Sequence, residues 1–171
     1  MTNIKIISVI GFSGSGKTQF ILDAIKRLRE ELNLEVAVIK YIHEHMVDKK
    51  GKDSYKYTKT GSNYAITKNA MNETTIFLKK EVSIEKIVDW LSKGPYGIDL
   101  VFTEGFREIK YPTVLCLKEE GEFESQINEN VRLISGLITQ KSSQHKEISS
   151  IAVIDIRKEF QTFLKVFNLV R

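Results

Sequence analysis

The sequence predicts an α/β fold: a mainly parallel sheet flanked by helices, with a small β-hairpin insertion. Three observations carry this. IKIISVI, Ile4 to Ile10, is a short apolar, β-branched run that reads as a buried strand. After a glycine-rich turn, QFILDAIKRLREEL places Phe20, Ile21, Ala24, Ile25, Leu28 and Leu32 on one helical stripe, with Asp23, Lys26, Arg27, Arg29 and Glu30 mostly on the other side. LEVAVIKYI, Leu34 to Ile42, then reads as a second buried strand. Strand, helix and strand at this spacing make a βαβ unit, which requires a parallel sheet.

The turn between the first strand and the helix is GFSGSGKT, Gly11 to Thr18. It fits the Walker A pattern G-x-x-x-x-G-K-[ST] at every fixed position and in the required strand–turn–helix context. The predicted fold is therefore P-loop NTPase-like. The chemistry follows from the layout. Gly11, Gly14 and Gly16 let the backbone curl around a phosphate chain. Successive N–H groups then point inward, and the following helix adds the positive end of its dipole. Lys17 is expected to reach the β- and γ-phosphates, and the Thr18 hydroxyl to ligate Mg²⁺. Ser13 and Ser15 add hydroxyls, and Gln19, next along, completes the nucleotide-binding set. The chain is expected to bind a nucleoside triphosphate.

Length and composition narrow the class. At 171 residues the expectation is one domain, residues 1–171, with a proper core. Hydrophobic content of 42% and charged content of 28% are ordinary for a soluble globular protein. The apolar runs are far short of a membrane span, and the chain enters its first strand too early for a signal peptide. Cys116 is the single cysteine, so an internal disulfide is excluded and the cytoplasm is the expected compartment. Cys116 lies in the strand-like TVLCLK and is read as core. The net charge of +4 is mild. Lysines gather at Lys49, Lys50, Lys52, Lys56 and Lys59, either as a solvated loop or as an anion-contacting surface. Zinc-finger spacing and an RNA-binding aromatic signature are lacking, so nucleic acid is not the expected partner.

Past the second strand comes HEHMVDKKGKDSYKYTKTGSNYA, His43 to Ala65. On a strand, His43 and His45 would share one face. With Asp48 or Asp53 they could form an imidazole–carboxylate metal site, but a polar loop with solvated histidines fits the spacing as well. Asp53-Ser54 reads as the cap of a short helix. Tyr64 to Thr67 and Thr74 to Leu78 read as a hairpin or two sheet strands. Ser83 caps a helix with Ile84, Ile87, Val88 and Leu91 on its apolar face and Trp90 partly buried, ended by Gly94-Pro95.

IDLVFTEGF, Ile98 to Phe106, is the second place where chemistry gathers. Glu104 falls at the carboxyl end of a strand, on the nucleotide side of such a sheet, where an acid holds Mg²⁺ or orients the attacking water. Asp99 is its rival, but it begins the strand, about four residues and roughly 13–14 Å from the ligand end. Tyr111 to Lys118, Val131 to Gln140 and Ile151 to Ile156 read as further strands, with an acidic connection after the first. Asp155 to Leu169 reads as the closing helix, with Phe160, Phe163, Leu164 and Phe167 facing the core.

GFSGSGKT, VIKYIHEHMVDKKGKDSYKYTKTGSNYAI and DLVFTEGFREIKYPTV, taken together, resemble the molybdopterin-guanine dinucleotide biosynthesis protein B family, MobB. The resemblance spans roughly residues 4 to 118, with GKDS at Gly51 to Ser54 and EGFR at Glu104 to Arg107 as its specific parts. Departures from the family pattern fall at Tyr41, where a histidine is usual, at Lys50 in place of proline, and at Thr60-Gly61-Ser62 in place of an A-G-A turn. The resemblance implies a small protein that binds GTP with Mg²⁺ and hydrolyses it weakly. It implies a homodimer that assists molybdopterin guanylyltransferase, and contact with the molybdopterin cofactor itself. It also places Asp48 beside Glu104 as a candidate catalytic and metal-holding acid. His43, His45, Lys52, Asp53 and Arg107 become candidates for contact with substrate or partner. The guanine preference rests on the resemblance alone. The N-K-x-D motif that reads guanine in many phosphate-loop GTPases is missing, and LITQK, Leu137 to Lys141, ends a strand at a suitable place but lacks the acid.

Two other classes compete. A small-molecule kinase suits the fold and length, but its usual arginine lid is not evident in the scattered Arg107, Arg132, Arg157 and Arg171. A metallochaperone-type GTPase would use His43 and His45 to pass a metal.

Overall fold

The structure is a computed structural model describing residues 4–141 and 146–169. The chain forms two compact units. One joins Met1–Tyr41 to Trp90–Arg171, and the other is Ile42–Asp89.

The first unit is built on a five-stranded sheet in the order β2-β5-β1-β6-β7. Its strands are β1 (Lys5–Ile10), β2 (Val36–Lys40), β5 (Leu100–Glu104), β6 (Thr113–Cys116) and β7 (Val131–Ser135). Every pairing in this sheet is parallel. β5 and β6 are buried at every position, as expected for near-continuous apolar strands covered on both faces. On one face, α1 (Lys17–Leu32) packs Phe20, Ile21, Ala24 and Leu28 against Ile7, Val9, Phe102 and Val114. The closing helix α6 (Phe160–Val166) adds Phe160, Phe163 and Leu164 to the same core. The Phe163 ring meets Phe20 edge-on at 5.9 Å. On the other face, Phe123 of α4 (Phe123–Gln126) and Ile138 of α5 (Ile138–Lys141) cover Ile10, Leu115, Leu117 and Ile134.

The second unit holds α2 (Asp53–Thr60) and the antiparallel hairpin of β3 (Ala65–Lys68) and β4 (Thr74–Phe77), paired from Ala65↔Phe77 to Lys68↔Thr74. The hairpin tip is tied by the Asn69 carboxamide oxygen, which accepts from the Met71 and Glu73 amides. The boundary between the units falls inside α3 (Ile84–Ser92). Ser83 precedes α3 as expected, with its hydroxyl 3.4 Å from the Lys86 amide.

Several boundaries differ from the sequence expectation. Val131 to Gln140 is not one strand: β7 stops at Ser135, Gly136 turns with φ 96°, and α5 follows. Of Ile151 to Ile156, only β9 (Ile151–Ala152) forms a ladder, with β8 (Glu147–Ile148), while Val153 bridges to Ile134. The closing helix begins five residues late. Asp155 takes the Arg157 amide on its carboxylate and the Lys158 and Glu159 amides on its carbonyl, forming a turn ahead of α6. The acidic connection is a 3₁₀ turn, Glu120–Glu122, running into α4. The cap position of α2 is Lys52, and Asp53 sits in the first turn, where a carboxylate favours the helix dipole. Trp90 is 52% exposed rather than packed. Among the described residues no helix is long and apolar enough to cross a membrane.

Candidate nucleotide-binding site

The candidate site lies in the first unit, at the carboxyl ends of the parallel strands, where ligands of such sheets bind. β1 ends at Ile10, and the backbone turns through Gly11 (φ 149°), Gly14 (φ 71°) and Gly16 (φ 95°) into α1. Gly11 has to be glycine. A Cβ there would stand 2.3 Å from the Cys116 carbonyl oxygen and 2.5 Å from Ser15 Oγ. Ser13 is exposed on the rim and Ser15 is fully buried. The Ser15 Oγ has no hydrogen-bond partner among the described residues, a donor held inside a loop of the kind that wraps phosphate.

Lys17 Nζ donates to the Gly11 and Phe12 carbonyls at 3.0 and 2.9 Å, so the ammonium lies across its own loop. Burial holds it below the ordinary lysine range. Glu104 opposes that shift, and the cations Arg107 and Lys40 add to it. Thr18 Oγ1 donates to Glu104 Oε1 at 3.1 Å. Glu104 is 6% exposed and ends β5 between Val9 and Lys40 in the register of the sheet. Lys40 Nζ lies 3.1 Å from the same Oε1. Asp99, the rival acid, sits at the opposite end of β5 and takes the Glu35 amide on Oδ2 at 2.8 Å. Arg107 stands 5.3 Å over the Phe12 ring and donates to Gln126 Oε1 at 3.0 Å. Gln19 points its amide to Asp23.

A hydroxyl and a carboxylate in contact form a hard oxygen donor set, which suits Mg²⁺, an ion that keeps most of its waters and takes one or two protein oxygens. Thr18 and Glu104 are the residues that would hold it.

Three residues of the cradle were not singled out from sequence. Lys40 shares Glu104 with Thr18. Lys118, just past β6, places its side chain beside Gly14, where a Cβ would stand 3.6 Å from its Cε. Gly136 closes the loop's far wall, where a Cβ would stand 2.4 Å from the Ser15 carbonyl oxygen. Lys40 and Lys118 shared one legible signal, a lysine at the carboxyl end of an apolar run; β2 itself is an edge strand with no buried position, not the buried strand its sequence predicts.

The remaining candidates lie in the second unit. β2 ends at Lys40, so His43 and His45 are not on a strand, and both are exposed. Asp48 is buried, accepts from Ser54 Oγ at 2.8 Å and pairs with Lys79 at 3.3 Å. Lys79 in turn sits 3.5 Å over the Tyr55 ring. Asp48 and Ser54, one on each side of Gly51, thus brace the start of α2. Lys52 is exposed, and Asp53 pairs with Lys56 in solvent at 3.0 Å. Among the described residues no three His, Cys, Asp or Glu side chains gather as a metal site. Cys116 is fully buried, and burial pushes its thiol up to about 12, so it is packing and not a nucleophile.

The family model described as molybdopterin guanine dinucleotide synthesis protein B matches residues 6–140. The chain belongs to the MobB family. It is 35% identical over 122 residues to a putative molybdopterin-guanine dinucleotide biosynthesis adapter protein of Methanocaldococcus jannaschii, covering 68% of this chain and 49% of that one. It is 34% identical over 123 residues to the molybdopterin-guanine dinucleotide biosynthesis adapter protein of Haemophilus influenzae, covering 68% of this chain and 65% of that one. The matched segment thus spans half to two-thirds of these relatives. The crystal structure of Bacillus subtilis MobB superposes with a TM-score of 0.73 at 20% identity, covering 98% of this chain and 99% of that one. MobB structures share the fold seen here, a mainly parallel sheet flanked by helices.

Proposed function

We propose that this chain is a GTP-binding adapter in molybdenum-cofactor maturation. In this reading it binds GTP with Mg²⁺, hydrolyses it slowly, and assists the guanylyltransferase that attaches GMP to molybdopterin. It works as a cytoplasmic homodimer, with the His43–Asp53 loop and Arg107 available to the partner or to the molybdopterin cofactor. The observation that carries the reading is the meeting of Lys17, Thr18 and Glu104 at the mouth of a phosphate loop. The adapter names of the two curated relatives support the pathway.

The residues act by charge and position. Loop amides and Lys17 take the β- and γ-phosphate oxygens, and Lys40, Arg107 and Lys118 add positive potential around them. Mg²⁺, when bound, neutralises phosphate charge. Glu104 fixes the Thr18 hydroxyl and orients water. Turnover is slow because Arg107 is engaged with Gln126 and Phe12, and a partner supplies what is missing.

Calorimetric titration of GTP with Mg²⁺, repeated with molybdopterin-loaded guanylyltransferase, tests the reading. GTP binding whose affinity or turnover changes with the partner supports it; indifference to the partner discards the adapter role. Glu104→Gln is expected to leave GTP affinity within a few-fold and to slow Mg²⁺-dependent hydrolysis by about 10–100-fold. An unchanged rate in a phosphate-release assay would take that role away from Glu104.

A further inference from the structure

A cavity opens beside the start of α1, on the far side of Gly16 from the Glu104 cluster, and the phosphate chemistry above does not use it. Its walls come from three segments distant in sequence: Gly16 and Gln19 of the loop–helix junction, Gly136 and Gln140 of the β7–α5 turn, and Asp155 and Arg157 of the turn before α6. Because Gly16 belongs to both the cavity and the phosphate cradle, a nucleotide seated on the loop can extend its other end into this space.

We propose that the cavity takes the purine base and that Asp155 is the residue that selects guanine. This deepens the GTP-binding reading and rests on it. Guanine presents two adjacent donors, its ring N1–H and exocyclic amino group. A carboxylate offers two acceptor oxygens and no donor, so the two edges match. Adenine turns a ring nitrogen lone pair toward the same carboxylate and is repelled.

The Asp155 carboxylate is built for such a contact. It is 9% exposed, and hydrogen bonds from Arg157 lower its pKa from the ordinary carboxylate value. Its backbone is fixed from several sides. Arg27 Nη1 donates to the Ile156 and Arg157 carbonyls at 3.1 and 2.9 Å, and Ser135 Oγ donates to the Ile154 carbonyl at 2.7 Å. In the structure the carboxylate is engaged by its neighbour. Oδ1 takes the Arg157 amide and Nε at 3.0 and 2.9 Å, and Oδ2 takes Arg157 Nη2 at 2.8 Å. The Arg157 side chain is 53% exposed, and Asp23 stands 4.0 Å from its Nε. The guanidinium therefore acts as a stand-in for the base. Guanine donors take over its side-chain bonds, the amide bond to Oδ1 remains, and the freed planar guanidinium lies against the ring.

The test uses the full chain with Mg²⁺ and measures affinity for GTP, ITP, ATP and XTP, for the wild type and for Asp155→Asn. Asparagine keeps the oxygen that the Arg157 amide needs. Its NH₂ matches xanthine, which carries a carbonyl where guanine has the amino group. The wild type is expected to prefer GTP over ATP by about 10²-fold or more and over ITP by about tenfold. In Asp155→Asn the GTP affinity falls by about 10²-fold and XTP becomes the preferred ligand. Wild-type binding of all four triphosphates with equal affinity, or a variant that keeps its GTP preference, overturns the proposal while the phosphate loop stands. Failure of every triphosphate to bind overturns both. Equal affinity of the wild type for GTP and ITP would overturn the proposal even if Asp155→Asn does not fold.

Discussion

Lys17→Ala is expected to abolish measurable GTP binding while the protein stays folded. The ammonium is the one side-chain cation carried by the loop itself, and its two bonds in the structure go to loop carbonyls that water can reach and satisfy. Removing it therefore costs little stability. In the proposed complex, the same nitrogen would make charge-assisted bonds to phosphate oxygens worth roughly 1.5–3 kcal/mol each. Losing two of them weakens affinity by a factor on the order of 10² or more. Calorimetry with GTP and Mg²⁺, beside a thermal melt, reads both effects. Normal affinity in a folded Lys17→Ala protein would remove the phosphate-loop assignment and everything that rests on it.

Gly136→Ala is the second change with a large expected effect, and it works through the backbone wall of the site. Gly136 stands at φ 96°, and an added methyl would meet backbone oxygens at 2.4 Å (Ser15) and 2.9 Å (Leu117). Neither neighbour can yield easily. The Ser15 carbonyl accepts the Leu137 amide at 3.0 Å, and the Leu117 carbonyl accepts the Ile138 amide at 2.9 Å. The β7–α5 turn must lift off the loop, breaking these bonds and adding left-handed strain of about 1 kcal/mol. The melting temperature is expected to fall by several degrees, corresponding to about 2–4 kcal/mol, and GTP affinity is expected to fall with it. A variant that melts and binds like the wild type would show that the turn is not a wall of the site.

The parts of this site that are contiguous in sequence were legible. GFSGSGKT encodes its own geometry, and a strand flanks it on one side and an amphipathic helix on the other, so the loop, α1 and β1 follow from local rules. Glu104 was legible because strand rise separates it from Asp99, and the structure places the two at opposite ends of β5. Gly136 and Asp155 were not legible in this way. Each was read as part of a regular element, because the apolar pattern of VRLISGLITQ runs straight through Gly136 and an aspartate ahead of a phenylalanine stripe looks like a helix start. What decides them is not in the apolar pattern: the Ser15 backbone, far away in sequence, leaves no room for a side chain at Gly136, and Asp155 sits in a turn that its neighbour Arg157 and the distant Arg27 hold. Asp48 illustrates the converse. A motif placed it among the candidate catalytic groups, and the fold engages its carboxylate with Ser54 and Lys79.

The order of the sheet has a consequence for how the protein is made. β1 is the central strand, yet both its neighbours are made long after it: Lys5 pairs with Leu100, and Ser8 with Thr113. The phosphate loop is complete in sequence by Thr18, but its walls are Cys116, Lys118 and Gly136. Closing such long loops is slow and entropically costly until the late contacts form. A nascent chain therefore carries its nucleotide motif for most of translation with no walls to shape it. In the proposed reading, competence to bind arrives late, once β6 has paired with β1 and β7 with β6, so nucleotide would not template the early half of the fold.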